Sequence, residues 1–208
     1  MAKCDAFAEA VEDACAAPGT RQALRRALGK PPEEVPARTH AALMRPGLLP
    51  YGVRGADRRA YYTVAALIAA RPRAERATAS EPDDETRPST AEEPSTRGTQ
   101  NVSAADPPAS SHRENLGQTL GRAVAREGQA IKANGAESRL HLMVRQDSDG
   151  LHRILPGLLR LLGSAAVPVD YGRLLNDLLR WDRWQEDVVV EWLESYYRTV
   201  LRANRPKA

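Results

Sequence analysis

The sequence predicts an all-α protein in which two small helical bundles are joined by a disordered acidic linker rich in Pro, Ser and Thr. Three observations support this prediction. Apolar residues recur every three or four positions through most of the chain, which is the period of amphipathic helices. No segment alternates apolar and polar residues over a useful length. A central stretch is nearly devoid of large apolar residues.

That central stretch divides the chain into an N-terminal helical unit, 1–73, the linker, 74–112, and a C-terminal helical bundle, 113–208. The linker carries 3 basic and 8 acidic side chains, against 12 and 7 in the first unit and 15 and 12 in the last. Both predicted folded units are therefore basic, which the overall net charge of +3 conceals. The linker has too little apolar surface to offset the entropy lost on ordering, so we predict disorder there.

In the N-terminal unit the signals that begin and end helices are closely spaced. The predicted helices run over 5–17, over 20–28, over 36–44 and from Asp57 onward. Thr20 and Asp57 are the predicted N-caps of two of them, since their side-chain oxygens can accept from free backbone N–H groups. Pro36 suits a first helical turn.

The C-terminal unit is predicted to hold five helical segments, over 116–126, 136–146, a leucine-rich stretch after a Ser148 cap, a helix after an Asp170 cap, and about 183–202. Gly117 and Gly121 form a Gly-x-x-x-Gly spacing that allows a neighbour to pack closely. Pro156 is expected to break or kink the leucine-rich segment.

The three tryptophans could form a platform on which bases stack. We favour a core role, because Trp184 and Trp192 fall, with Val188 and Tyr196, on the predicted buried stripe of the last helix. Trp181 is not predicted to be buried.

Catalytic and metal-binding patterns are not evident. The four histidines form no His-x-x-x-His or Glu-x-x-His pair, and neither cysteine nor any serine has the context of a nucleophile. The acidic residues between Asp177 and Glu194 could suggest a nuclease metal cluster, but interleaved arginines favour an ordinary solvated helix face. We therefore expect a protein that is not an enzyme and that has no metal or other cofactor.

Two features of the sequence indicate the cellular compartment of the protein. Residues 64–70 are the longest clean apolar run, far short of the roughly 20 residues that cross a bilayer, and the N-terminus lacks the apolar core of a signal peptide. On one helix, Cys4 and Cys15 would stand about 16 Å apart at 1.5 Å per residue, too far for a disulfide. We expect a cytoplasmic protein with two reduced, structural thiols.

Arginines recur on the predicted helices with few acids to balance them. A single arginine is usually a surface residue, but a recurring set is typical of proteins that bind nucleic acid. The candidate nucleic-acid-binding residues are Arg25, Arg26, Arg58, Arg59, Arg122, Arg126, Arg139 and Arg145.

Six short motifs carry a family resemblance. They are ALRR at 23–26, TLGRAVA at 119–125, ESRL at 137–140, LMVR at 142–145, VDY at 169–171 and LLRW at 178–181. These motifs resemble segments of the CasB family, the small subunit of the type I-E CRISPR surveillance complex Cascade, and TLGRAVA is similar to its S/T-L-G-R-A-L-A segment. Together they span most of 19–200 outside the linker, and the long acidic linker is where the chain departs from the family.

The resemblance implies an all-α, non-catalytic subunit that lies beside the backbone and large subunits of Cascade, with a second copy of itself. It implies partners in crRNA and target DNA, whose R-loop the arginines would stabilise by holding the target and displaced strands. The positions carried over are Arg26, Arg58, Arg122, Arg139 and Arg145.

Two other interpretations stay open from the residues. One is a free-standing helical DNA-binding regulator, although no helix–turn–helix signal is clear. The other is a helical protein–protein adaptor whose arginines are merely surface residues. Salt-dependent DNA binding separates the adaptor from the other two, and sequence-specific footprinting separates those from each other.

Overall fold

A computed structural model describes residues 1–71, 113–125 and 131–204. These residues form eight α-helices, a short 3-10 turn at Pro32–Glu34 and no β-strand, which confirms the predicted all-α class. The helices are α1 (Ala2–Ala14), α2 (Pro18–Arg25), α3 (Ala37–Leu43), α4 (Gly55–Ala70), α5 (Leu116–Ala125), α6 (Ala133–Val144), α7 (Ser148–Ser164) and α8 (Tyr171–Ala203). The predicted linker, 74–112, lies outside the described residues.

Helix α4 is the centre of the core, since residues 60–69 are all buried. It packs against α1 and α2 on the N-terminal side and against α7 and α8 on the C-terminal side. Phe7 of α1 meets the Tyr61 ring edge-on, with ring centroids 4.8 Å apart. One hydrophobic cluster therefore includes residues from both sides of 72–112. The division into units at 1–73 and 113–208 stays a prediction.

The two glycines of α5 face α8. A Cβ added at Gly121 would lie 2.8 Å from the Thr199 Cβ and 3.0 Å from the Tyr196 carbonyl oxygen. A Cβ at Gly117 would lie 2.6 Å from the carbonyl carbon of Trp192. Real side chains do not come this close, so the predicted close packing at this spacing is confirmed.

Helix α8 folds back on itself at Trp184, whose backbone is not helical (φ −135°, ψ 43°). The Trp181 and Trp192 rings come within 5.1 Å, and the Trp192 Nε1–H donates to Asp177 Oδ2 at 2.8 Å. In a straight helix Asp177 and Trp192 would be about 22 Å apart. Two helical segments, as predicted, thus meet at a sharp turn.

That turn reverses the predicted burial of two tryptophans. Trp181 is 2% exposed, and Trp184 is 51% exposed. The prediction was wrong because Trp184 lies in the turn, where the 3.6-residue stripe of the last helix has not begun. Val188, Trp192 and Tyr196, which continue that stripe, are buried as expected.

The helix N-termini match the predicted caps in part. Asp170 caps α8, and its carboxylate accepts from a backbone N–H at 2.8 Å. The cap of α7 is Asp147, one residue before the predicted Ser148. Neither Thr20 nor Asp57 is a cap, since Thr20 is buried inside α2 and Asp57 lies in the first turn of α4.

Helix α7 runs through Pro156 without ending there. An interior proline costs a helix about 3 kcal/mol. Here Leu151, Leu155, Leu158 and Leu162 are all at most 5% exposed. Burying four leucines, at about 1.5–3 kcal/mol each, outweighs the proline. No described helix is long and apolar enough to cross a membrane.

Candidate nucleic-acid interface

The arginines of the described residues fall into two sets, those with a carboxylate partner and those without. Paired guanidiniums are already neutralised. The Arg59–Asp149 pair joins two helices, and four of the pairs lie within α8. The pairs are Arg59–Asp149, Arg71–Glu12, Arg113–Asp5, Arg122–Glu114, Arg173–Asp177, Arg173–Glu191, Arg180–Glu191 and Arg198–Glu194.

Two of the candidate residues belong to the paired set. The Arg59 side chain is 13% exposed and joins α4 to Asp149 of α7. Arg122 donates to Glu114 at 2.8 Å and to the carbonyl oxygen of Pro168 at 3.0 Å, which joins α5 to the segment before α8. Both side chains therefore hold helices together. Their contact with nucleic acid stays a prediction.

Four candidates are exposed and have no carboxylate partner among the described residues: Arg25, Arg26, Arg139 and Arg145. Arg139 Nη1 donates to the Gly135 carbonyl oxygen at 2.8 Å, so its guanidinium lies along its own helix. Arg145 is the C-cap residue of α6, where a positive charge is favoured by the helix dipole. These four charges are free to meet phosphate.

Arg58 is half-buried and is held by an aromatic ring rather than by a carboxylate. Its guanidinium lies 5.5 Å from the centroid of the Tyr62 ring, and its Nη2 donates to the Tyr62 hydroxyl at 3.4 Å. His40 Nδ1 of α3 is 2.7 Å from the same hydroxyl. Arg58 therefore keeps an uncompensated charge beside α3. Arg126 lies outside the described residues.

The candidates lie on several different elements of the structure. Arg25 lines a cavity of about 130 Å³ that Arg160 of α7 and Arg71 also line. Arg58 faces α3 instead, and Arg139 and Arg145 lie on α6, which packs on α5 and α7. The candidate interface thus has an N-terminal part, on α2 and α4, and a C-terminal part, on α6.

Sequence reasoning missed seven further exposed arginines that have no carboxylate partner in the described part of the chain. They are Arg38, Arg45, Arg54, Arg153, Arg160, Arg183 and Arg202. The sequence does contain a signal for the first five. They lie in the runs 35–56 and 150–169, which contain no Asp or Glu.

The acidic residues of α8 do not form a metal site. Within the described ranges, no group of three His, Cys, Asp or Glu side chains is placed to hold a metal ion. Asp182, Glu186 and Asp187 are exposed, as expected of a solvated face. Asp177 is fully buried, which corrects that expectation, because it lies on the inner side of the fold-back in α8.

The buried Asp177 carboxylate belongs to a charge network inside α8. Arg173 Nε donates to its Oδ1 at 2.9 Å, and Trp192 occupies its Oδ2. Burial raises the pKa of Asp177, although both hydrogen bonds act in the opposite direction. Hydrogen bonding from Arg180 and the nearby charge of Arg173 lower the pKa of Glu191. This network holds the two segments of α8 together, so its carboxylates have a structural role.

In the described residues, an all-helical fold with exposed arginines that have no carboxylate partner defines a basic helical protein. The sequence profile of the family described as CRISPR-associated protein Cse2 matches residues 20–197. The chain belongs to the Cse2 family, also called CasB, which confirms the resemblance drawn from its motifs.

Solved structures agree with this assignment. A chain of a structure described as a CRISPR RNA-guided surveillance complex is 33% identical, with a TM-score of 0.72 over 96% of this chain and 94% of that chain. A chain of a second such complex, described as pre-nicking, is 35% identical with the same coverage and TM-score. The crystal structure of M. ruber CasB is 20% identical, with a TM-score of 0.63 over 95% and 96%, and it supports the fold alone. No curated protein matches the chain.

Proposed function

We propose that this chain is the non-catalytic small subunit of a type I-E CRISPR surveillance complex, in which it binds nucleic-acid backbone without sequence preference and stabilises the R-loop. Its partners in this proposal are the backbone and large subunits, a second copy of itself, crRNA and target DNA. The observation that carries the proposal is the set of exposed arginines with no carboxylate partner in the described residues. Similarity to chains of two RNA-guided surveillance complexes supports the assembly.

The physical requirement for this function is small. Forming an R-loop exchanges one duplex for another of similar stability, so modest contacts to the backbone can shift the balance. A guanidinium binds phosphate through two parallel hydrogen bonds. Such contacts carry no sequence information, so one surface serves every target.

The test compares Arg139→Gln with Arg198→Gln in the assembled complex. Both variants remove one positive charge from an exposed side chain, but Arg198 is paired with Glu194 at 3.2 Å. If Arg139 contacts a phosphate, its loss should flatten the slope of log affinity against log salt by about 0.7–0.9 and shorten the R-loop lifetime. Arg198→Gln should leave both unchanged.

Two outcomes would contradict the proposal. One is that Arg26→Gln, Arg139→Gln and Arg145→Gln all keep the wild-type salt slope and R-loop lifetime. The other is a DNA footprint at one preferred sequence, which would indicate a free-standing regulator. The loss for each variant should be equal across unrelated target sequences.

A further inference from the structure

The loop between α3 and α4 holds one aromatic side chain entirely in solvent. Tyr51 is 107% exposed, compared with 68% for Leu201, the next most exposed large apolar side chain among the described residues. The loop around it is nevertheless packed, because Leu48 is 5% exposed and Leu49 and Val53 lie against the core. Tyr51 is therefore displayed by an anchored loop.

The backbone of this loop requires glycine at two positions. Gly47 has φ +86° and Gly52 has φ +79°, a left-handed conformation that other residues rarely adopt. Pro50, immediately before Tyr51, has its φ restrained by its ring. The Leu49 N–H also donates to the Leu43 carbonyl oxygen at 3.2 Å. A ring on so restrained a loop loses little backbone entropy when it binds.

The charged residues nearest to Tyr51 in the sequence are positive. Arg45 and Arg54 flank it, both are exposed, and neither has a carboxylate partner in the described residues. The nearest acids in sequence are Glu34 and Asp57, at the ends of the run without acids. The loop joins one aromatic face to uncompensated guanidiniums. That combination suits single-stranded nucleic acid, which has phosphates and bases whose faces are accessible. The faces of a base pair inside a duplex are not accessible.

We propose that Tyr51 stacks on an unpaired base of single-stranded DNA while Arg45 and Arg54 bind the phosphates on either side. This inference rests on the proposed function and deepens it, since the displaced DNA strand is the unpaired strand of an R-loop. Arg58, in the first turn of α4, adds a further positive charge near α3, since its guanidinium and His40 both contact the Tyr62 hydroxyl.

The test measures binding of the full-length chain to a labelled oligo(dT) and to a duplex of equal length over a range of salt. Tyr51→Ala should weaken oligo(dT) binding by about 5- to 150-fold, the value of one base stacked on an aromatic ring. Its salt slope should stay at the wild-type value because no charge is lost, and duplex binding should not change. Tyr51→Phe should retain wild-type affinity.

Matched controls separate the ring from its surroundings. Trp184→Ala removes another exposed aromatic ring, one placed among the exposed acids Asp182 and Glu186, and it should leave oligo(dT) affinity unchanged. Arg45→Gln should flatten the salt slope.

The proposal is wrong if Tyr51→Ala binds oligo(dT) like the wild type, if it weakens single and double strands equally, or if the chain binds neither. It is also wrong if Tyr51→Ala only lowers incorporation of the chain into the complex, which would make the ring a contact for protein. If the Tyr51 proposal fails but Arg139→Gln still flattens the salt slope in the assembled complex, the proposed function remains supported.

Discussion

Replacing Gly117 by alanine tests the backbone contact between α5 and α8. The new Cβ would lie 2.6 Å and 2.8 Å from the carbonyl carbon and Cα of Trp192, and nearer still to the carbonyl oxygen. All three atoms belong to the backbone, so no side-chain rotation relieves the overlap. Helix α5 must move away from α8.

The size of the effect follows from two opposing terms. Overpacking a core costs about 1–3 kcal/mol, and a clash with rigid backbone belongs at the upper end. Alanine gains about 1 kcal/mol over glycine in helix propensity. The net expectation for Gly117→Ala is a loss of about 2 kcal/mol in the free energy of unfolding. Gly157 of α7 is exposed and a Cβ there meets nothing within 4 Å, so Gly157→Ala should instead gain about 0.5–1 kcal/mol.

Urea unfolding followed by circular dichroism at 222 nm measures both variants. With a slope of about 2 kcal/mol per molar, Gly117→Ala should lower the midpoint by about 1 M. Gly157→Ala should raise it by about 0.3–0.5 M on the same slope. A Gly117→Ala midpoint at or above that of the wild type, with the slope unchanged, would refute the close packing of α5 on α8.

Burial holds the pKa of His152 at about 4 instead of 6.5, so the unfolded chain takes up that proton first. The free energy of unfolding should therefore fall by about 3 kcal/mol as pH drops from 6.5 through 4, and His152→Leu should flatten this dependence in urea melts. Trp181→Ala should lower the free energy of unfolding by about 3–5 kcal/mol, measured in the same urea melts. Trp184→Ala should lower it by no more than about 0.5 kcal/mol. Trypsin should cut first within 74–112. The two fragments should elute together in native gel filtration because they share one core, and separate elution would contradict this. With Mg²⁺ the purified chain should leave labelled DNA intact on a denaturing gel, and cleavage would contradict a non-catalytic role.

The helices could be predicted because each buries one stripe, and that requirement imposes the 3.6-residue period. Val188, Trp192 and Tyr196 were identified in this way. The fold-back at Trp184 could not be predicted, since the turn contains neither glycine nor proline. It is stabilised by contacts between its two arms, among them the hydrogen bond from Trp192 to Asp177. Periodicity carries no information about such contacts.

The candidate arginines were predictable as a class but not one by one. Arg59 meets Asp149 ninety positions away, and Arg122 meets the Pro168 carbonyl forty-six positions away. Pairing over such distances depends on the fold, so sequence could not separate Arg59 from the exposed Arg26. The runs without acids carry the only local signal, and they would have added Arg54 to the candidates.

In the proposed function, folding and binding use different arginines. Arg59 is 13% exposed and joins α4 to α7, so Arg59→Gln should act on stability through the contacts of its buried side chain. Arg139 is exposed and its described hydrogen bond is to its own helix, so Arg139→Gln removes a charge without removing a contact between helices. A surface charge of this kind contributes little to stability. The two properties are therefore separable by mutation, and a loss of R-loop lifetime in Arg139→Gln at wild-type stability reports on binding alone.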